Sequence, residues 1–185
     1  GKPGTPLGGI PTTTIAPNVD MPLQGIGTWL YNSSRAEEAV FTALTLKPTP
    51  YVHIDTALIY GNQDGVGRAI KRSGRDRKSF FLTTKIPGGL NSSYTQTCLD
   101  QDLAQLQVEY IDLMLVHYPC TMDAKAAGGK ASRQAMWKVM EKFVQDGKAR
   151  AIGVSHYCKR HLQDVLEIAT LPISVNQVQY HVGMG

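Results

Sequence analysis

The 185-residue sequence predicts an α/β fold: a (β/α)8 barrel preceded by an N-terminal β-hairpin, with about six of the eight βα units present in this chain. Strand-like and helix-like segments alternate along the chain, as in βα units with right-handed crossovers and a parallel sheet. The segment YIDLMLVHY is nearly continuous in apolar residues, which is typical of a strand buried on both faces. Ionisable residues follow the ends of several strands, where barrels carry their active sites.

The elements follow from composition and period. The first stretch, PTTTIAPNVDMPLQGIGTW, is rich in β-branched residues and turn formers, and predicts a small hairpin and then a strand ending near Gly27. A helix over SSRAEEAVFTALTL comes next, with Ser33 or Ser34 as its N-cap. Further strands are predicted over YVHIDTAL, SFFLTTKI, YIDLMLVHY, ARAIGVSHY and ISVNQVQYH. The helices between them are predicted over NQDGVGRAIKRSG, SYTQTCLDQDLAQLQV, SRQAMWKVMEKFVQDG and CKRHLQDVLEIA, with Gly74 and Gly147 ending two of them.

A doubly wound nucleotide-binding sheet is the alternative to a barrel. Such a sheet usually has a glycine-rich turn after its first strand. Here the glycine pair that follows a strand is Gly65 and Gly67, and position 70 is isoleucine. The barrel is therefore favoured.

Composition limits the function classes. Hydrophobic residues make up 42% of the chain and charged residues 18%, with a net charge of +4, which is ordinary for a globular domain. No apolar run approaches the roughly 18 residues that span a bilayer. The basic stretch KRSGRDRK (71–78) fits a solvated helix end better than a surface for a nucleotide or nucleic acid. We therefore expect neither a membrane nor a nucleic acid as a partner.

The cysteines and sequons bear on metal binding and location. Cys98, Cys120 and Cys158 lack the spacing of a metal site, and their odd number argues against a disulfide framework. We expect no metal and a reducing compartment, the cytoplasm. The two sequons that begin at Asn32 and Asn91 leave secretion open as an alternative.

Polar residues end five of the predicted strands, and parallel strands of a barrel share one rim. Taken singly, an aspartate at a strand end is usually a cap or an ion-pair partner, and a histidine after an apolar strand is usually a satisfied core residue. Taken together they predict a catalytic site. The residues are Asp55 with Tyr60, Lys85, His117, Ser155 with His156, and Asn176, Gln177 and Gln179.

The chemistry open to this set is narrow, since the chain has neither a nucleophile elbow nor a two-histidine, one-carboxylate cluster. Lys85 can lower the pKa of the Tyr60 phenol, and Asp55 can hold Lys85 charged. His117 can donate a hydrogen bond to a carbonyl oxygen, and Tyr60 can protonate it. These steps make half of a reduction, so a nicotinamide cofactor must supply the hydride.

Six segments together resemble the aldo-keto reductase family over nearly the whole chain. They are GIGTW (25–29), HIDTALIYGNQDGVGRAI (53–70), FLTTKI (81–86), YIDLMLVHYP (110–119), WKVMEKFVQDGKARAIGVS (137–155) and VNQVQYH (175–181). The resemblance implies a (β/α)8 barrel that reduces aldehydes or ketones with NADPH, with NADH as the alternative cofactor. It further implies a small carbonyl compound as substrate and a monomer at full length.

The resemblance also assigns residues. The catalytic tetrad would be Asp55, Tyr60, Lys85 and His117, with Tyr60 as the acid. The cofactor would contact Gly27, Thr28, Asp55, Ser155, His156 and Gln177. Trp29 and Tyr118 would line the substrate pocket. The segment 120–134 resembles a short form of a loop that overhangs this pocket, which suggests an open pocket for several small aromatic or aliphatic carbonyl compounds.

Two departures from the family pattern stand out. His156 occupies a position where the family usually has asparagine, so we expect cofactor binding to survive in weakened form. The chain also stops after the sixth strand, so we expect one domain over residues 1–185 that is truncated at its C-terminus. A short form that is inactive or depends on association is the alternative, and a non-catalytic binding or structural protein, or an inert fragment, is the competing function.

Overall fold

The fold begins with a β-hairpin that lies against a parallel sheet. In this computed structural model, residues 9–48, 50–120 and 129–184 are described. Strand β1 (Thr12–Ala16) pairs antiparallel with β2 (Val19–Pro22), and Asn18 takes a positive φ of 59° in the turn. Asparagine tolerates this left-handed conformation better than most residues.

The main sheet has six strands in sequence order, and every neighbouring pair is parallel. Its strands are β3 (Ile26–Gly27), β4 (His53–Asp55), β5 (Phe81–Ile86), β6 (Ile111–Val116), β7 (Ala149–Ser155) and β8 (Asn176–Gln177). Every residue of β5 and β6 is buried, as the apolar runs predict. The last strand is much shorter than predicted, with two residues.

A helix follows each of the strands β3 to β7. The helices are α1 (Ser33–Thr45), α2 (Gln63–Ser73), α3 (Ser92–Leu106), α4 (Lys130–Gln145) and α5 (Lys159–Leu166). The predicted N-cap of α1 is wrong by one residue, because the side chain of Asn32 accepts the hydrogen bond from the Arg35 amide. Gly74 ends α2 with φ of 64°, as predicted.

Two apolar clusters hold this arrangement together. The larger lies between the sheet and its helices, with Leu82, Met114 and Trp137 among its buried members. The smaller lies on the inner face of the sheet, where Val19 of the hairpin packs with Leu113 and other strand residues. The hairpin thus covers the inner face, and the predicted partial barrel with its hairpin is confirmed.

Within the described residues, no helix has the length and apolar character needed to cross a membrane. No group of three or more histidine, cysteine, aspartate or glutamate side chains there is placed to hold a metal ion.

Candidate active site

The carboxyl ends of the strands bring most of the predicted side chains to one cavity of about 590 Å³. Lys85 lies beneath it, and the Asn176 side chain bonds to the Tyr157 backbone instead. Asp55 is the last residue of β4, Ser155 of β7 and Gln177 of β8, and His117 follows β6 directly. Because the strands are parallel and in register, their ends lie side by side. The cavity is lined by Trp29, Asp55, Tyr60, His117, Tyr118, Ser155, His156, Gln177, Val178, Gln179 and Tyr180.

An ion pair stands at the centre of the site. The Nζ atom of Lys85 lies 2.5 Å from Oδ1 of Asp55 and donates to the carbonyl oxygen of Thr56 at 2.9 Å. The Lys85 side chain is 1% exposed and that of Asp55 is 24% exposed. Burial lowers the pKa of Lys85, and the Asp55 carboxylate opposes this change. The Asp55 carboxylate therefore faces the cavity, and the Lys85 ammonium lies buried beneath it.

Tyr60 meets this pair from the 3-10 helical turn Leu58–Tyr60, with its hydroxyl oxygen 3.4 Å from Lys85 Nζ. Burial, the charge of Asp55 and the neighbouring Tyr118 raise the pKa of the Tyr60 phenol. The sequence-based expectation of a lowered pKa is thus wrong for this structure. The physical reason is that Asp55 largely offsets the ammonium charge, so desolvation decides the direction. The phenol is protonated at neutral pH.

His117 is neutral at pH 7, since burial, then the charges of Lys85 and His156, lower its pKa to about 4. Its side chain is almost wholly buried, and its backbone amide donates to the Ile86 carbonyl at 2.8 Å. The Nδ1 atom has no hydrogen-bond partner among the described residues. A neutral imidazole carries one N–H and one acceptor nitrogen, so His117 can donate a single hydrogen bond.

Gln177 and Ser155 are joined to the ion pair. Gln177 donates from its side-chain Nε2 to Oδ2 of Asp55 at 2.7 Å, and the Ser155 hydroxyl donates to the backbone carbonyl oxygen of Gln177 at 2.9 Å. Asp55 therefore receives one donor on each carboxylate oxygen, Lys85 on one and Gln177 on the other. The hydrogen bond between Gln177 and Asp55 links β8 to β4 at the cavity.

His156 lies in the same cavity but makes a ring contact. It has a positive φ of 58°, and its imidazole stacks on Tyr118 with the ring centroids 4.9 Å apart and the planes within 9°. His117 stacks on the same phenol at 4.5 Å and 11°. Trp29, 55% exposed, lies with its ring 4.8 Å from that of Tyr60.

Two other predicted positions lie apart from this cavity. Thr28 is fully buried, and its hydroxyl donates to the Thr56 hydroxyl at 2.9 Å. Asn62 fixes the Thr28 carbonyl with a hydrogen bond of 2.8 Å. Gly27 ends β3 and lies opposite Asp55 in the register. The Thr28 hydroxyl is therefore buried and does not line the cavity.

A second, largely apolar cavity of about 500 Å³ adjoins the first and shares Trp29 and Tyr118 with it. A Cβ atom at Gly88 would collide with the Tyr118 carbonyl oxygen, so glycine allows the loop after β5 to approach the loop after β6. The other residues of its lining are Ile59, Pro87, Leu90 and Cys120. Most of the segment 120–134, on which the open-pocket prediction depends, lies outside the described residues.

A sequence model described as "Aldo/keto reductase family" matches residues 25–183. The chain belongs to the aldo/keto reductase family. It is 37% identical to the glyoxal reductase of Bacillus subtilis (strain 168), over 92% of this chain and 58% of that protein. It is 35% identical to the glycerol 2-dehydrogenase (NADP(+)) of Saccharomyces cerevisiae, over 87% of this chain and 57% of that protein.

Solved structures of aldo/keto reductases give the same result. The Brucella melitensis aldo/keto reductase has a TM-score of 0.83 and 33% identity, over 93% of this chain and 63% of that one. The Bombyx mori aldo-keto reductase in complex with NADP has a TM-score of 0.80 and 25% identity, over 92% and 58%. The chain therefore spans less than two thirds of the length of these relatives.

The sequence analysis missed a buried polar cluster on the outer side of β5, between α2 and α3. Gln63 donates to Oδ1 of Asp102 at 2.5 Å, and the Thr84 hydroxyl donates to Oε1 of Gln63 at 2.6 Å. Burial raises the pKa of Asp102 to about 7, and its Oδ2 atom has no partner among the described residues. The available signal was an acid in the helical spacing of Leu99 and Leu106, which marks the core face of α3.

Proposed function

We propose that this chain carries the catalytic machinery of an NADPH-dependent reductase that converts aldehydes or ketones to alcohols. The observation that carries the proposal is the Tyr60 hydroxyl placed 3.4 Å from an ammonium group that Asp55 holds. The neutral His117 lines the same cavity. An acid, its cationic neighbour and a second hydrogen-bond donor suit one substrate oxygen.

Tyr60 is the proton donor in this proposal. Its raised pKa keeps the phenol protonated at rest, so the proton is present when a carbonyl compound arrives. As the carbonyl carbon is reduced, negative charge grows on its oxygen, and this oxygen takes the proton from the Tyr60 hydroxyl. The phenolate left behind is stabilised by the Lys85 ammonium, while the His117 N–H orients the carbonyl group. Asp55 keeps Lys85 in place throughout.

The residues at the cavity suit a nicotinamide carboxamide. Such a group offers an acceptor oxygen and an NH2 group with two donor hydrogens, and the Ser155 hydroxyl and the Gln177 side-chain amide can bond to these groups. His156 lines the same cavity. Bound NADPH would supply the hydride. The choice of NADPH over NADH draws support from the glycerol 2-dehydrogenase (NADP(+)) of Saccharomyces cerevisiae and from the Bombyx mori aldo-keto reductase, whose solved structure is a complex with NADP.

The adjoining apolar cavity suggests the substrate class. Trp29, Ile59 and Leu90 form walls without charge, so an apolar group attached to the carbonyl carbon would lose little solvation on entry. We propose small aromatic or aliphatic carbonyl compounds as substrates. The glyoxal reductase of Bacillus subtilis, by its name, acts on a small carbonyl compound. For the whole protein we further propose a cytoplasmic monomer.

The first test is NADPH oxidation, followed by its near-ultraviolet absorbance, with 4-nitrobenzaldehyde as substrate. Tyr60→Phe should abolish turnover and leave NADPH binding intact, because only the proton donor is lost. Tyr94→Phe, which changes an exposed tyrosine on α3, is the matched control and should keep full activity. A Tyr60→Phe protein with the full rate would refute this mechanism. Cofactor binding without turnover in the unaltered protein would favour a non-catalytic binding protein.

The intact mass of the protein expressed from its own gene is the companion measurement. The 185 residues have a mass of 20.2 kDa. Because the chain spans 58% of the Bacillus subtilis relative, a substantially larger mass would show that the assay must use the longer protein. A mass of 20.2 kDa would make turnover by this chain alone the critical experiment.

A further inference from the structure

Among the described residues, the His117 imidazole has no hydrogen bond on Nδ1 that would fix its orientation. In most sites the second ring nitrogen is hydrogen-bonded, and this bond sets the tautomer and the ring plane. Here Nδ1 of His117 is buried without a hydrogen-bond partner among the described residues. The contacts described for this imidazole are instead those with the neighbouring aromatic rings.

The neighbouring rings form a stack with Tyr118 as the common member. The His117 imidazole lies 4.5 Å from the Tyr118 ring and within 11° of parallel. The His156 imidazole lies 4.9 Å from the same ring and within 9° of parallel. Tyr60 contacts His117 edge-on, at 5.5 Å and 74°. We call His117, Tyr118 and His156 the ring stack. Offset, near-parallel arrangements of this kind are favourable contacts between aromatic groups.

The backbone places His156 in the stack. Its φ of 58° is left-handed, and its amide donates to the Gln177 carbonyl at 3.0 Å. Asn176 holds the next residue on both sides, because its side chain accepts from the Tyr157 amide at 3.3 Å and donates to the Tyr157 carbonyl at 2.9 Å. The backbone that carries the exposed imidazole is therefore held by the last strand.

We infer that His156 is a positioning residue for His117: it holds the Tyr118 phenol, and this phenol fixes the plane of the His117 imidazole. The term positioning depends on the proposed reductase function, in which His117 orients the carbonyl group. The ring contact itself does not depend on it. An asparagine at position 156 would tolerate the left-handed backbone but could not take part in the stack.

The test is nuclear magnetic resonance of the aromatic ring protons in the isotope-labelled whole chain, at a fixed pH of about 8, where an ordinary imidazole is neutral. His156→Asn removes the ring and suits the backbone. His156→Phe restores an uncharged ring. His161→Asn is the matched control, because His161 contacts Tyr157 edge-on and lies outside the stack. His117→Gln and Tyr118→Leu identify the two sets of resonances.

We expect the Tyr118 and His117 ring resonances to shift in His156→Asn, to return close to their original positions in His156→Phe, and to stay unchanged in His161→Asn. In the active protein at saturating NADPH, kcat should fall with His156→Asn and recover with His156→Phe. Unchanged resonances in His156→Asn would overturn the inference, whether or not the protein is active. Shifted resonances in a protein without reductase activity would support the ring contact and count against the proposed function.

Discussion

Two carboxyl groups, the partly exposed Asp55 and the fully buried Asp102, lie on opposite sides of β5 and have different surroundings. On the inner side Asp55 receives Lys85 on one oxygen and Gln177 on the other. On the outer side Oδ1 of Asp102 accepts from Gln63, and its Oδ2 atom has no partner among the described residues. Thr84 and Lys85 are neighbours on β5, so one step along a strand separates the two environments. Burial raises the pKa of Asp102, which has no cationic partner at hydrogen-bond distance in the described part of the chain, whereas the partly exposed Asp55 has the Lys85 ammonium as a partner.

The largest expected effect comes from removing the cation on the inner side. Lys85→Met should lower kcat/KM by about 100-fold to 10,000-fold, the usual range for losing assistance to proton transfer. It should also destabilise the fold, because Asp55 keeps only Gln177 as a donor. Steady-state kinetics and urea unfolding measure the two effects. Lys142→Met, at an exposed lysine of α4, is the control. Equal losses in both variants would show that the effect does not come from the position of Lys85 beside Asp55.

Replacing Asp102, on the outer side of β5, should stabilise the protein by an amount that depends on pH. The pKa of Asp102 is raised to about 7 in the folded state, against about 4 unfolded, so the folded state binds more protons between these values. Stability contributed by the protonated form is present at low pH and is lost as the pH rises from about 4 to about 7. Asp102→Asn should therefore be more stable than the unaltered protein at pH 8, by up to about 4 kcal/mol, and similar to it near pH 4.

Urea unfolding at a series of pH values between 4 and 8 measures this gain. Asp100→Asn is the matched control, since Asp100 lies on the same helix with its side chain about half exposed. A gain that does not depend on pH would show that Asp102 has the same pKa in the folded and unfolded states, and would contradict this prediction.

A smaller effect should follow from the hydrogen bond that joins the last strand to the ion pair. Gln177→Leu removes a donor to a carboxylate, which is worth about 1.5 to 3 kcal/mol. We expect NADPH binding, measured by quenching of protein fluorescence, to weaken by roughly 10-fold, a factor equal to about 1.4 kcal/mol. Gln179→Leu, at an exposed residue of the same cavity, should bind the cofactor nearly as before. A larger loss of NADPH affinity in Gln179→Leu than in Gln177→Leu would contradict this prediction.

The smallest effect is expected at Thr28, which the family resemblance assigns to the cofactor and the structure buries. Its hydroxyl donates to Thr56. Thr28→Val should cost about 1 kcal/mol of stability, the net value of one hydrogen bond, with little change in NADPH affinity. Thermal unfolding and the same fluorescence titration measure these quantities. A large loss of affinity at unchanged stability would support direct contact with the cofactor.

Much of the fold could be predicted because local patterns determine it. The alternation of strands and helices, and the apolar runs of β5 and β6, needed no long-range information. The N-cap at Asn32 was missed since Asn32, Ser33 and Ser34 are all good caps and only the geometry selects one. The last strand was predicted too long, because its residues pair with β7 over two positions only.

The sequence predicts which residues form the site better than it predicts their pKa values. Residues that end parallel strands must meet at one rim, which is why Asp55, His117 and Gln177 could be grouped from the sequence. The direction of the Tyr60 pKa was not predictable, because it depends on how far Asp55 offsets the charge of Lys85. The stacking of His156 on Tyr118 depends on a left-handed backbone, which histidine tolerates better than most residues but which its presence alone does not predict.

The hydrogen bond between Gln177 and Asp55 also bears on the order in which the chain folds. It joins residues 122 positions apart, whereas the Lys85–Asp55 contact closes a loop of 30. In an unfolded chain the longer closure costs about 1 kcal/mol more in conformational entropy. The contact between Lys85 and Asp55 can therefore form early in folding, because the two residues are close in the sequence. The contact between Gln177 and Asp55 forms only when the last strand joins the sheet. In a folding experiment with a probe on each contact, the Lys85–Asp55 contact should be ordered before the Gln177–Asp55 contact.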